Sequence, residues 1–396
     1  MKNMLVVLMT ICFITSYTNA FYEEEKEEFS MEIMSESSAT GELTLNATNA
    51  ILYDMTYETI LYEKKAYEKV PNASTTKMLT AIVAYENATV NDIVTVGKNA
   101  VNTGGSVIGL RSGDRVSLDD LLKGMLIHSG NDAAVAIAEY IGGDVDNFCA
   151  ILNQKANEIG LQSTNFVTPH GLDAENHYSS AYDLAKMAEY LLKIDYLANI
   201  VKLKTANIQI NNQTRIITTT NEMLSLYEGT NGVKTGFTGN AGRCLVTSCT
   251  QNNRTLISVV LGCGTKGQRT SDSQKLLNYG FQEFDIIDIC ENMRKEFIIH
   301  VNKGKNPYYQ IRIEKSIFMP IKRKNKNELS YQYQINTELQ APVISNTPIG
   351  SITVLLENTT LCIIHVNVPE LIPQKSFLDY ISGFLFENSR YFEINP

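Results

Sequence analysis

Two strand-like stretches, the first of alternating hydrophobicity, stand far apart in this chain. GELTLNATNAILYDMTYETILYEK covers positions 41–64, and GRCLVTSCTQNNRTLISVVLGC covers 242–263. Turn residues punctuate both, and each reads as paired antiparallel strands, the second joined through Gln251, Asn252 and Asn253. Between them the apolar period becomes helical, over 75–87, 118–126, 131–141, 144–159 and 180–193. IQINNQTRIITTTN reads as a further hairpin, and a last helix over about 269–280 is expected to end at Gly280. Strands first, helices in the middle, then strands and a final helix: this segregation implies an α+β fold, not a repeated strand–helix–strand unit.

After about residue 285 the texture changes. KEFIIHV, YYQIRIE, SYQYQI and SITVLLE are short alternating runs separated by Asn, Lys and Pro, as expected of a small all-β domain. The C-terminal segment KSFLDYISGFLFENSRYF places Phe377, Tyr380, Ile381, Phe384 and Leu385 at helical spacing. It is too short and too charged to span a bilayer. It reads either as an amphipathic helix in a membrane interface or as a helix packed on the β domain. At the other end, Lys2 precedes the apolar run MLVVLMTICFI, and a small residue, Ala20, comes before the acidic run EEEKEE. That is the pattern of a secretory signal cleaved after Ala20, the alternative being a retained anchor. The bulk of Ile11 before Cys12 speaks against lipidation of that cysteine. The expected organisation is a signal peptide at 1–20, a flexible acidic leader at 21–40, a catalytic domain at 41–284, a β-rich domain at 285–372 and the terminal helix at 373–396.

The net charge of −9 argues against nucleic acid as a partner. Six cysteines remain beyond the signal, at 149, 244, 249, 263, 290 and 362. None forms a C-x-x-C pair, so no zinc or dithiol site is indicated, and most are expected to be buried as small apolar residues. No metal or cofactor is implied.

The stretch ASTTKMLTA at 73–81 poses a question of its own. Ser74 suits a helix N-cap, and Met78, Leu79, Ile82 and Val83 follow at helical spacing. Lys77 does not fit that reading. A capping box wants Glu or Gln at this place, and a cation in the first turn opposes the helix dipole by about 0.3–1 kcal/mol. Two further motifs explain it. Ser129 and Asn131 lie in IHSGND just ahead of a helix, and Lys234, Thr235 and Gly236 open the strand-like run KTGFTGNAGRCLV. A serine hydroxyl needs a base, and one helical turn puts Lys77 on the face of Ser74. Burial and a second cation, Lys234, lower a lysine pKa toward neutrality. Ser129 suits a proton relay to a leaving amine, and Asn131 suits a substrate amide. Lys234 and Thr235 suit a terminal carboxylate. The backbone N–H groups of Ser74 and Phe237 suit an oxyanion hole, where loss of one donor typically costs roughly 2.7–4 kcal/mol.

S-x-x-K, S-x-N and K-T-G in this order form the signature of penicillin-interacting serine enzymes. With PNASTTKMLTA, NEIGLQSTNFVTPHGLDAENHYSSAYDLA and NGVKTGFTGNAGRCLV, the chain resembles the D-alanyl-D-alanine carboxypeptidases, the low-molecular-mass penicillin-binding proteins. The resemblance covers roughly 40–285 and extends more weakly over the β-rich tail. It implies a penicillin-binding-protein or β-lactamase-like catalytic domain, an antiparallel sheet with a helical cluster and the active site between them. It implies release of the terminal D-alanine from peptidoglycan pentapeptide stems through an acyl-enzyme, acylation by β-lactams, and a bacterial enzyme exported to the outer face of the cytoplasmic membrane. The small β domain is expected to set the active site away from that membrane. Some family members carry a substrate-binding arginine ahead of K-T-G. The corresponding text here, TTTNEM, has none, which leaves the carboxylate to Lys234 and Thr235.

A class A β-lactamase needs a deacylating glutamate in E-x-x-L-N. EIGLQ at 158–162 is a near miss, and Glu158 reads instead as a helix end closed by Gly160. His170, His177 and Asp173 read as loop-packing and turn residues. Two other readings stay open: a catalytically dead peptidoglycan-binding protein, against which the three intact motifs speak, and additional endopeptidase action on crosslinked peptides.

Overall fold

The computed structural model describes residues 43–382. The expected signal segment and acidic leader lie outside the described residues, as does the part of the expected terminal helix beyond residue 382. The chain opens with the hairpin β1 (Asn49–Asp54) and β2 (Thr59–Lys64). A 3₁₀ turn at Ala73–Thr76 leads directly into α1 (Lys77–Asn87). Next come β3 (Ile93–Thr95), α2 (Lys98–Val101), β4 (Arg115–Ser117), α3 (Leu118–Ile127), α4 (Asn131–Gly142), α5 (Val145–Glu158), α6 (Ala181–Leu192) and α7 (Asp195–Val201). The hairpin β5 (Thr205–Ile210) and β6 (Gln213–Thr218) turns through Asn211 and Asn212, both at positive φ, as a two-residue turn that matches strand twist requires. Then follow α8 (Met223–Leu226), β7 (Thr230–Thr238), β8 (Gly242–Gln251), β9 (Arg254–Cys263) and α9 (Lys266–Glu283).

The two distant strand-like stretches form one antiparallel sheet, ordered β2-β1-β9-β8-β7. The pleat sends successive side chains to opposite faces. Ile51, Tyr53, Ile257 and Val259 enter the core shared with α1 and α3–α6. Ala50, Leu52, Leu256 and Val260 meet Leu276 and Leu277 of α9 on the other face. Because both faces are covered, β1 is buried at every position. Arg254 and Asp54, paired at 2.7 Å, join β9 to β1 beneath this cover. α1 runs through the middle of the helical cluster, buried on every side from Lys77 to Ala84, as an apolar helix enclosed by others must be. β7 is left as an open edge beside the N-terminal end of α1.

The remainder is all β: β10 (Phe284–Asp288), β11 (Glu296–Asn302), β12 (Tyr308–Arg312), β13 (Phe318–Lys322), β14 (Leu329–Ile335), β15 (Glu338–Gln340), β16 (Pro348–Leu356) and β17 (Thr359–Asn367). They pair as β10-β13, β12-β11-β15 and β14-β16-β17 around a separate core that includes Phe297, Ile299, Ile352, Val354 and Ile364. Residues 377–382 are helical and leave Phe377, Leu378, Tyr380 and Ile381 exposed. All six described cysteines are free thiols and buried.

Three local expectations need correction. The last helix runs past Gly280 to Glu283. A Cβ at 280 would stand 2.6 Å from Leu256 Cδ1 and 2.8 Å from Leu52 Cδ2, so the glycine permits close packing of helix on sheet and is not a cap. The K-T-G motif lies inside its strand, because pairing with β8 already starts at Thr230 opposite Cys249. Ser74 sits in the second position of the 3₁₀ turn and is not an N-cap.

Candidate active site

The nucleophile candidate is presented by the turn before α1. Ala73 holds a positive φ of 50°, and the turn is tied by Thr75 Oγ1 to Asn72 O at 2.7 Å and by Thr76 Oγ1 to Ala73 O at 2.9 Å. Ser74 is half-buried and faces a cavity of about 640 Å³, while Lys77 beneath it is completely buried. Lys77 Nζ has three oxygen neighbours: Ser74 Oγ at 2.7 Å, Asn131 Oδ1 at 2.7 Å and His170 O at 2.8 Å. Burial, and then the charge of Lys234, hold its pKa well below the ordinary lysine range, with Asp132 opposing. A neutral amine has two N–H groups and one lone pair. The two carbonyl oxygens only accept, so they take both N–H groups, and the lone pair is left for the one neighbour that has a proton to give, the Ser74 hydroxyl.

Ser129 and Asn131 come from the break between α3 and α4. Ser129 sits at φ 69°, a conformation costing a non-glycine residue on the order of 1–3 kcal/mol, and its Oγ accepts from Lys234 Nζ at 2.9 Å. Asn131 Nδ2 donates to Gly104 O at 2.6 Å, so its amide is held at both ends yet retains one further donor and one further acceptor position. Asp132 clamps the adjoining loop through the backbone N–H groups of Ile108, Gly109 and Leu110, at 2.9–3.0 Å.

The opposite wall is the edge strand β7. Lys234 is buried and also donates to Thr235 O at 3.0 Å. Desolvation, then the charge of Arg269, bring its pKa down to about 7. Thr235 Oγ1 lies 2.6 Å from Thr220 Oγ1. A Cβ at Gly236 would stand 3.1 Å from Ser74 N, so the glycine lets the strand backbone at Gly236–Phe237 approach the N–H of Ser74. The structure thus brings Ser74, Lys77, Ser129, Asn131, Lys234, Thr235, Gly236 and Phe237 around one cleft between sheet and helical cluster.

The loop at 164–178 braces this arrangement. Val167 N–H donates to His177 Nδ1 at 3.1 Å, which leaves Nε2–H to donate to Thr76 Oγ1 at 2.9 Å. Burial keeps His177 neutral, with its pKa down to about 4. Asp173 accepts from Thr238 Oγ1 at 2.6 Å and from Asn240 N–H at 3.2 Å, tying the loop to the end of β7. Gly171, at φ 84°, lies so close to the nucleophile turn that a Cβ there would fall 1.9 Å from Ala73 O. Gly171→Ala is therefore expected to cost about 3 kcal/mol and to slow acylation. Gly160→Ala, at a similar φ with nothing near its Cβ, should cost about 1 kcal/mol. Urea unfolding of the two variants checks the difference.

Sequence reasoning missed three cations lining the cavity: Arg243, Lys266 and Arg269. Register exposes the first, since Arg243 is the cross-strand partner of Phe237. Lys266 opens α9 three residues ahead of the start expected from sequence, and this places Lys266 and Arg269 together in its first turn. Glu158, the near miss for a deacylating glutamate, ends α5, bonds to Gln154 at 2.8 Å, and does not line the cavity.

Comparison with known proteins gives the relatives of the chain. Residues 34–265 match a family model described as D-alanyl-D-alanine carboxypeptidase, and residues 295–373 match one described as penicillin-binding protein 5, C-terminal domain. The chain is 29% identical over 389 residues to the D-alanyl-D-alanine carboxypeptidase DacF of Bacillus subtilis, covering 96% of this chain and 97% of that protein. It is 32% identical over 355 residues to DacA of Escherichia coli, covering 86% and 87% respectively. Among solved structures, penicillin binding protein 5 from Haemophilus influenzae superposes with a TM-score of 0.70 at 30% identity, over 84% of this chain and 99% of that one.

Proposed function

The chain belongs to the D-alanyl-D-alanine carboxypeptidase family of serine peptidases, and on that premise we propose that Ser74 is its nucleophile and neutral Lys77 its general base. The enzyme removes the terminal D-alanine from peptidoglycan stem peptides through a serine acyl-enzyme, is acylated by β-lactams, and acts in the bacterial cell wall. The observation that carries the residue assignment is the geometry at Lys77. Its Nζ is buried 2.7 Å from Ser74 Oγ, with both N–H groups engaged elsewhere.

In this reading the Ser74 hydroxyl gives its proton to Lys77 Nζ as Oγ attacks the carbonyl carbon of the penultimate D-alanine. The N–H groups of Ser74 and Phe237 receive the developing oxyanion. The tetrahedral species collapses by breaking the C–N bond, and the proton held on Lys77 reaches the leaving nitrogen through the Ser129 hydroxyl. Water then takes the amine's place, repeats the sequence, and releases the acid with the proton returned to Ser74 Oγ. Asn131 orients Lys77 and uses its remaining positions on the substrate amide. Lys234 and Thr235 hold the terminal carboxylate. No carboxylate lines the cavity among the described residues, which favours a long-lived penicillin adduct over β-lactamase turnover.

The pH dependence follows from the two lysines. Lys77 works deprotonated and Lys234 works protonated. Since free Lys234 titrates at about 7, kcat/KM for D-alanine release is expected to fall as pH rises through that value. A bound carboxylate favours the charged amine, so kcat should hold to higher pH than kcat/KM. Profiles of D-alanine release from a pentapeptide test this, with Lys234→Arg expected to remove the upper limb. An upper limb unchanged in that variant would assign it to another group.

We also propose the domain division at 41–284 and 285–372, export with cleavage after Ala20, and peripheral contact of the C-terminal helix with the membrane. The last is supported by Phe377, Leu378, Tyr380 and Ile381, apolar side chains that the described part of the helix leaves exposed.

A further inference from the structure

The cleft carries more positive charge than one terminal carboxylate calls for. Beyond Thr235 its wall is made by Arg243, Lys266 and Arg269, with buried Lys234 behind them, in a chain whose net charge is −9. Arg269 is answered by Glu222 at 2.8 Å. No ion pair among the described residues answers Arg243 or Lys266.

Arg243 is held ready for a ligand. Its guanidinium stacks 3.7 Å above the ring of Phe237, which is itself 53% exposed at the cavity edge. Stacking fixes the plane of the group and leaves its N–H edges free to make a forked contact with a carboxylate. Phe237 and Arg243 are paired across β7 and β8, so the backbone places this cation one strand step beyond the Lys234–Thr235 end of the cleft. Lys266 begins α9, an 18-residue helix whose positive dipole end adds to the same field. One carboxylate is met by Lys234 and Thr235, so a second pair of cations on the leaving-group side matches a second negative charge.

We propose that Arg243 and Lys266 form a second anion subsite that receives the side chain of the leaving residue. The enzyme then accepts as leaving group a dicarboxylic D-amino acid in preference to its neutral isostere. Arg243 is in this role a specificity-determining residue. The proposal rests on the reading above, in which Lys234 and Thr235 take the terminal carboxylate and Ser74 the acyl group.

The test uses the purified protein and three acyl-peptides, ending in D-Ala-D-Ala, D-Ala-D-Glu and D-Ala-D-Gln, with release of the last residue measured as kcat/KM. D-Glu is expected to be released about five- to tenfold faster than D-Gln, a preference that shrinks with added salt. Arg243→Gln should bring the ratio close to one, and Lys266→Gln should lower it in part. The ratio is taken on one protein, so a general loss of activity in a variant cancels. Equal release of D-Glu and D-Gln by the unaltered protein, with D-alanine released and penicillin bound, would overturn the subsite and leave the carboxypeptidase assignment standing. A preference for D-Glu that survives in both variants would also overturn it. Loss of D-alanine release together with failure to form a penicillin adduct on the unaltered protein would overturn the reading beneath it, and the subsite with it.

Discussion

Ser74→Ala is expected to abolish covalent labelling by penicillin and to cut D-alanine release by roughly 10⁴–10⁶-fold. The oxygen that forms the acyl bond is gone, and no neighbour replaces it. Thr75 and Thr76 follow it in sequence, but both hydroxyls are buried and donate to the backbone at Asn72 and Ala73. The fold should survive. Ser74 Oγ is bonded to Lys77 Nζ, and Lys77 keeps Asn131 and His170 when that contact is lost. One hydrogen bond of this kind is worth about 1 kcal/mol. The checks are D-alanine release, intact mass after exposure to penicillin, and a melting curve close to that of the unaltered protein. A penicillin adduct on the alanine variant would move the nucleophile elsewhere.

Lys77→Ala is expected to leave reversible penicillin binding in place while slowing acylation by roughly 10²–10⁴-fold, the range for loss of a positioned base. Stability should also change, because Asn131 Oδ1 and His170 O lose their donor inside the protein. Each unsatisfied buried acceptor costs about 1–3 kcal/mol. Removal of a desolvated amine offsets part of this. Lys77→Met fills the same space without a base and separates the two effects: it should be as slow as the alanine variant, with less of a packing defect. Stopped-flow acylation reads the rate constant and the initial binding constant separately. Normal acylation in either variant would assign proton removal to another group.

Much of this was legible before the fold was known, for physical reasons that differ between elements. Alternation marks a strand only where one face differs from the other or turn residues bound the run, and for β1, β2, β8 and β9 it is the bounding turns that mark them, since β1, β8 and β9 are buried on both faces. Their pairing across two hundred positions of chain was not legible, since alternation says that a strand has a partner and not which one. β3 and β4, three residues each, are too short to show a period. Gly280 looked like a helix end because glycine usually is one there; its real constraint is the distance to Leu52 and Leu256, which belong to the sheet. The eight residues expected at the site were legible because the chemistry demands particular side chains at particular spacings. Arg243, Lys266 and Arg269 carry no such spacing rule and enter the cleft only through strand register and the true start of α9. The restraint of the nucleophile turn by Gly171 and His177 was likewise invisible, since it depends on the approach of two loops distant in sequence.

The most direct test of the central claim is to locate the penicillin adduct. The purified protein is incubated with penicillin, digested with trypsin, and the peptides are weighed and fragmented. We expect one stoichiometric adduct on the peptide 70–77, localised to Ser74, persisting long after free drug is removed, from a protein that releases D-alanine from a pentapeptide. An adduct at another residue, or rapid penicillin turnover without D-alanine release, would contradict the account.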